Sequence, residues 1–172
     1  MTAYVALLRA VNVGGTGKLP MTELTAMCEQ AGFEKVKTYI ASGNVVFTSG
    51  KSEKAVKAAL EKAMHDYAGK PVGVMVRTAA EMAAVAKANP FSHAPGNRVV
   101  AILLDDAPPK DAIEHARHVD GEEIGLGKRE IYVRYTDHGM GQSKLIIPAA
   151  KTGTARNMNT VAKLAEMAAA LG

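Results

Sequence analysis

Residues 4–48 carry the clearest fold signal, and they read YVALLRAVNVGGTGKLPMTELTAMCEQAGFEKVKTYIASGNVVFT. The apolar run Tyr4–Leu8 is typical of a strand covered on both faces. A basic, glycine-rich loop follows over Arg9–Leu19, and Pro20 suits the first turn of a helix. Apolar residues then recur at helical spacing, and Ser42-Gly43-Asn44 separates two further strands. The stretch therefore predicts a strand, a helix and a β-hairpin.

The next elements complete an order that is typical of one small domain. Ser52 is placed to cap a second helix, and Val72–Arg77 has the pattern of a short strand. The resulting β-α-β-β-α-β order is the split unit of ferredoxin-like domains. Thr78 and Glu81 then form a capping box for a connecting helix, which ends before Asn89-Pro90.

The second half of the chain repeats part of this order. Val99–Leu104 is apolar on both faces, and a second hairpin is predicted around Gly127-Lys128. Helices are predicted over 108–119 and 143–151, and Asn159 is the expected cap of the last helix.

The sequence thus predicts an α+β protein of two ferredoxin-like (α/β plait) subdomains, the second with an extra C-terminal helix. The first subdomain is expected over 1–78, a connecting helix and linker over 79–96, and the second subdomain with its terminal helix over 97–172. The chain has 172 residues, 48% of them hydrophobic and 22% charged, which provides enough apolar surface for these cores and excludes global disorder.

Composition also limits the setting in which the protein works. Cys28 is the single cysteine, and its helical spacing after Leu24 predicts a buried small side chain rather than a reactive thiol. No run approaches the roughly 18 apolar residues that span a membrane. The first residues show neither a positively charged lead nor a small-residue cleavage site, so we expect a cytoplasmic protein with no membrane partner.

The charge of the chain is unevenly distributed. The net charge is +4, yet residues 1–22 carry Arg9 and Lys18 with no acid, and residues 138–165 carry four cations with no acid. Two purely basic segments suit an anionic partner. A scattered set of solvated lysines is the alternative, and the sequence leaves it open.

The glycine-rich loop at 12–18 is typical of phosphate-binding loops in one respect, because glycines let backbone N–H groups approach an anion. The nucleotide P-loop pattern fails at Asn12 and Leu19, and the dinucleotide pattern fails at Pro20, where its third glycine would fall. A generic anion cradle and a flexible connection both remain open.

The sequence gives little support for RNA stacking, metal binding or a hydrolase triad. The strands carry no basic-aromatic signature for RNA stacking. His115 and His118 share a helical face without a third ligand, and Asp105-Asp106 suits a turn better than a magnesium site. Ser42 and Ser143 have no evident base partner for a hydrolase triad.

Two late segments, 141–144 and 152–157, each mix glycine, hydroxyl residues and one cation at an expected helix boundary. Such groups bind phosphate through backbone amides, hydroxyls and a charged fork. They also serve as helix caps, and only for Arg156 do we favour the binding role.

The chain resembles the domain of unknown function 1697 family, which is bacterial. The resemblance rests on ALLRAVNVGG (6–15), LPMTEL (19–24), TYIASGNVVF (38–47), SKL (143–145) and TARNMNTVAKL (154–164). It implies two ferredoxin-like subdomains and no established reaction, cofactor or partner. The family usually has Gly at Ala10 and often Trp at Met158, so an aromatic stacking role at Met158 is not expected.

These observations lead to one functional hypothesis. The basic segments are expected to converge on a cleft that binds a phosphate-bearing ligand, with a nucleotide or nucleic acid as the leading class. An enzyme for a small phosphorylated or carboxylated metabolite, and a structural or regulatory module, are the alternatives. The candidate ligand-binding residues are Arg9, Asn12, Gly14, Gly15, Lys18, Ser42, Asn44, Ser143, Lys144, Arg156 and Asn157.

Overall fold

The computed structural model describes residues Met1–Arg9 and Lys18–Leu171. These residues form an α+β protein, in which four helices accompany two four-stranded antiparallel sheets. The chain divides into two compact units. Unit 1 comprises Met1–Ala83 with Lys163–Gly172, and unit 2 comprises Ala84–Ala162.

Unit 1 follows the predicted β-α-β-β-α-β order. Its sheet has the strand order β2-β3-β1-β4, and β1 lies antiparallel to both β3 and β4. The elements are β1 (Thr2–Leu8), α1 (Met21–Gln30), β2 (Glu34–Tyr39), β3 (Asn44–Ser49), α2 (Glu53–Ala68) and β4 (Val74–Thr78).

Local signals in the sequence set the ends of these helices. Ser52 caps α2, because its side chain accepts a hydrogen bond of 3.2 Å from the Ala55 N–H. Gly32 follows α1 with a φ of 88°, a conformation that glycine adopts without steric cost. Thr78 and Glu81 exchange the two hydrogen bonds of a capping box, 2.8 and 3.1 Å long. The Ser52 cap and the Thr78–Glu81 capping box are as predicted from the sequence.

The core of unit 1 lies on both faces of its middle strands. Every residue of β3 is buried, and so is every residue of β1 after Thr2. One face packs in an apolar cluster in which the rings of Phe33 and Phe47 stack 4.3 Å apart. Since both faces are covered, these two strands offer no exposed platform on which RNA bases could stack.

Unit 2 contains the second sheet, whose strand order β6-β7-β5-β8 matches that of the first. Ile131, Val133 and Val100 form the centre of an apolar cluster on one of its faces. Helices α3 and α4 each begin in one unit and end in the other. The elements are α3 (Ala79–Lys87), β5 (Val99–Leu103), β6 (Glu123–Leu126), β7 (Glu130–Arg134), β8 (Thr154–Asn157) and α4 (Met158–Ala169).

The helix predicted over 108–119 is wrong. The segment forms successive turns, with i+3 hydrogen bonds to the carbonyls of Pro109 and Ile113. Arg117 then exchanges two backbone hydrogen bonds, 2.8 and 2.9 Å long, with Ile146. This nonlocal bridge draws the segment out of helical geometry.

The prediction for 143–157 also needs correction. Only a 3-10 turn at Pro148–Ala150 forms where a helix was expected over 143–151, because proline lacks the N–H that a helix interior needs. Residues 154–157 form β8, a strand that the sequence pattern did not predict. Asn157 rather than Asn159 caps α4, since its Oδ1 accepts a hydrogen bond from the Thr160 N–H.

Candidate functional site

Three chain segments of unit 1 meet where β1 ends. The Leu8 N–H donates a 2.9 Å hydrogen bond to the Gly43 carbonyl, which belongs to the turn between β2 and β3. The Arg9 N–H donates a bond of the same length to the Gly73 carbonyl, just before β4. The aliphatic part of the Arg9 side chain lies over Gly73, within 3.6 Å of where a Cβ would stand. Leu8 and Arg9 are therefore each bonded to a different neighbouring segment.

The residues before α1 reach the same region through α2. The Tyr67 hydroxyl, in the last turn of α2, donates a 3.5 Å hydrogen bond to the Lys18 carbonyl. Gly69 then ends α2 in the left-handed conformation, and Lys70 follows it on the way to β4. We call the set of Arg9, 18–20, 40–43 and 69–73 the basic end of unit 1.

The basic end carries positive charge without an acid of its own. Arg9, Lys18 and Lys70 are exposed. Neither lysine forms an ion pair with any residue of 1–9 or 18–171. Asp66, the last carboxylate of α2 before Lys70, is paired with Lys62 at 3.4 Å. By sequence, residues 10–17 also contain no charged side chain. An anion at this end would meet attraction from several sides.

Two predicted ligand residues, Ser42 and Asn44, lie in the β2–β3 turn. Asn44 is fully buried as the first residue of β3, and its Nδ2 donates to the Tyr39 carbonyl at 3.0 Å and to Ser42 Oγ at 2.8 Å. Asn44 thus shapes the turn from within and presents Gly43 to β1. Ser42 and Arg9 lie in segments that the structure brings together. Asn12, Gly14 and Gly15 lie outside the described residues.

The predicted residues of unit 2 fall in two places. Ser143 and Lys144 line a cavity of about 820 Å³, whose other polar residues include His118, His138, Asp120, Asp137 and Glu122. We call this cavity the Glu122 pocket. Its lining does not include Arg156 or Asn157.

Glu122 is the buried carboxylate of this pocket. Its Oε2 accepts a 2.5 Å hydrogen bond from the Ser143 hydroxyl, and its Oε1 accepts one of 2.6 Å from the Asp120 N–H. The Ser143 hydroxyl and the Asp120 N–H lower the pKa of Glu122 below its usual value, so that the group stays ionised at neutral pH. Sequence reasoning missed Glu122, because nothing local relates it to Ser143.

Arg156 and Asn157 belong to β8, at the edge of the second sheet. The Arg156 Nη1 donates to Thr154 Oγ1 and to the Ala155 carbonyl, both at 2.9 Å. Burial lowers the pKa of the half-buried Arg156 to about 10. Asn157 caps α4, which is the structural role that the sequence left open for it.

Two further features concern metal binding and membrane-spanning helices. Among the described residues, no group of three or more histidine, cysteine or carboxylate side chains could hold a metal ion. Within residues 1–9 and 18–171, no helix is both long enough and apolar enough to cross a membrane.

Comparison with known proteins places the chain in a family. The solved structure of the conserved bacterial protein SP0830 from Streptococcus pneumoniae is similar, with 25% sequence identity and a TM-score of 0.79, covering 97% of this chain and 98% of that one. No curated protein matched the chain. A family model described as Protein of unknown function (DUF1697) matches residues 1–132, which confirms the resemblance seen in the sequence. The chain therefore belongs to the DUF1697 family of proteins of unknown function.

Proposed function

We propose that the protein binds a phosphate-bearing ligand, a nucleotide or nucleic acid, at the basic end of unit 1. The observation that carries this proposal is the meeting of four segments that together carry three exposed cations and no acid. Arg9, Lys18 and Lys70 supply the charge, and the backbone bonds of Leu8 to Gly43 and of Arg9 to Gly73 hold the Arg9 backbone in place.

The number of cations suits a phosphate group, which carries up to two negative charges, better than a single carboxylate. A guanidinium donates two parallel N–H bonds to one phosphate, while each ammonium acts as a mobile point charge. Two lysines on separate segments around one arginine suit a ligand that carries more than one negative charge. A ligand with several phosphates, or a short length of nucleic acid backbone, fulfils that condition.

Salt dependence distinguishes this function from that of an enzyme for a small metabolite. Three cations on a single-stranded polyanion give a slope of about −2 in a plot of log affinity against log salt concentration. A compact metabolite held in a closed site gives a much shallower slope.

The test compares Lys18→Gln and Lys70→Gln with Lys54→Gln. Lys54 is an exposed lysine of the same unit, but it lies in the first turn of α2, away from the basic end. Affinity for a fluorescent single-stranded oligonucleotide is measured by anisotropy at several salt concentrations. Each of the first two variants should lose about two- to fivefold in affinity and about 0.7 in salt slope. Lys54→Gln should match the parent protein. Equal affinity in all four proteins would reject the proposal.

The proposal also concerns the fold of each unit, the boundaries of the subdomains and the role of Arg156. We infer that each unit is a ferredoxin-like subdomain, which the shared strand order of the two antiparallel sheets supports. The divisions at residues 78 and 96, and the contribution of Arg156 from the late basic segment to binding of the same ligand, stay predictions. Arg156→Ala tests the shared ligand, because it should weaken oligonucleotide binding if Arg156 contributes charge to the same phosphates.

A further inference from the structure

The Glu122 pocket has the size of a small-molecule site. Its volume of about 820 Å³ falls within the range of ligand pockets in proteins. It is far larger than a bare metal ion needs, and its side chains form no metal-binding group among the described residues. An organic ligand is therefore the class of occupant to consider.

Glu122 is the unusual group in this pocket. The residue is 9% exposed, and the two donors that it accepts from, the Ser143 hydroxyl and the Asp120 N–H, are both uncharged. No ion pair within 18–171 includes Glu122. The two donors keep Glu122 ionised, so the lining of the pocket holds a negative charge that no positive side chain among the described residues neutralises.

The negative charge of Glu122 affects the pKa of a neighbouring tyrosine. Burial, together with the negative charge of Glu122, raises the pKa of the neighbouring Tyr135 hydroxyl. Asp137, also in the lining, is already paired with Arg98 at 3.6 Å. Of the other charged side chains in the lining, Asp120 and Glu122 are negative and Lys144 is positive. The pocket therefore contains more carboxylates than ammonium groups.

We propose that the Glu122 pocket binds a small organic cation, a molecule with a primary ammonium or guanidinium group, and that Glu122 is its counter-charge. The ligand's N–H groups donate to the remaining lone pairs of the carboxylate, and His118 and His138 offer ring nitrogens beside it. This site lies within unit 2 and prefers the opposite charge to the basic end of unit 1. It does not depend on the function proposed above.

Calorimetric titration of the full chain with agmatine tests this site, since agmatine carries both a guanidinium and an ammonium group. The parent protein should bind it, and Glu122→Gln should bind about tenfold more weakly, since a charge-assisted hydrogen bond is lost. Glu123→Gln is the matched control: it removes the same charge one residue away, at an exposed side chain paired with Arg134. Its affinity for agmatine should stay within about twofold of the parent value.

Lys144→Gln keeps the test decisive even if Glu122→Gln does not fold, because Lys144 is exposed. Removal of this positive charge should leave agmatine binding equal or tighter. Absence of agmatine binding to the parent protein would overturn the proposal. So would weaker agmatine binding in Lys144→Gln, or binding of inorganic phosphate that depends on Lys144.

Discussion

Asn157 and Asn159 lie two residues apart, but only the Asn157 side chain caps a helix. The Asn157 Oδ1 accepts a 2.9 Å hydrogen bond from the Thr160 N–H at the start of α4, whereas Asn159 is exposed and lies beside Gly96. Asn44 is likewise occupied in shaping a turn. Side chains of this type serve caps, turns and ligands alike, so residue type alone could not separate these roles in the sequence.

Asn157→Ala should therefore lower the free energy of unfolding by about 1 kcal/mol, the usual effect of removing a helix cap. Asn159→Ala is the control and should change it by less than about 0.5 kcal/mol. Urea unfolding followed by circular dichroism measures both. If Asn159→Ala were the more destabilising variant, the assignment of the cap would be wrong.

Cys28 behaves as a small apolar side chain. Burial, aided by the charge of Glu29, raises the pKa of its thiol to about 12. Folding therefore keeps this thiol protonated, and the stability linked to it is lost as the pH rises above the ordinary value of 9.0. A thiol-specific disulfide reagent at pH 8 should label the native protein slowly and the urea-unfolded protein fast. Rapid labelling of the native protein would contradict the burial of Cys28.

At the scale of elements, local signals predicted unit 1 better than unit 2. The apolar run Tyr4–Leu8, the Ser52 cap and the Thr78–Glu81 capping box all act within a few residues. β8 has no such signal, because Thr154–Asn157 becomes a strand through pairing with β5, about 50 residues earlier in the chain. The turns at 108–119 are also fixed by a distant partner, Ile146.

The approach of β8 to β5 leaves no room for a side chain at Gly153. A Cβ there would lie 2.7 Å from Ile102 Cγ2 and 2.9 Å from the Leu103 carbonyl oxygen. Gly153→Ala should therefore destabilise the protein by about 1–3 kcal/mol, as overpacking does. Gly141→Ala is the control, since no atom lies within 4 Å of its Cβ position. Equal melting temperatures for the two variants would mean that β8 does not pack as described.

At the scale of the whole molecule, the distribution of charge matters more than the net value of +4. Arg9 and Lys18 stood out in the sequence because residues 1–22 contain no acid. Lys70 did not, since it joins them only through the contacts of α2 and β4. The topology of unit 1 could have indicated it, because a strand, its neighbouring hairpin turn and the return from α2 share one end of a β-α-β-β-α-β sheet.

The most direct measurement is an NMR titration of the ¹⁵N-labelled protein with inorganic pyrophosphate. It reports where an anion binds without assuming which natural ligand carries the phosphate. We expect the largest amide shifts in Arg9, Lys18, the 40–43 turn and 69–73, and little change around Lys51 and Lys54. Shifts centred on Lys51 and Lys54, or no shifts at all, would contradict anion binding at the basic end of unit 1.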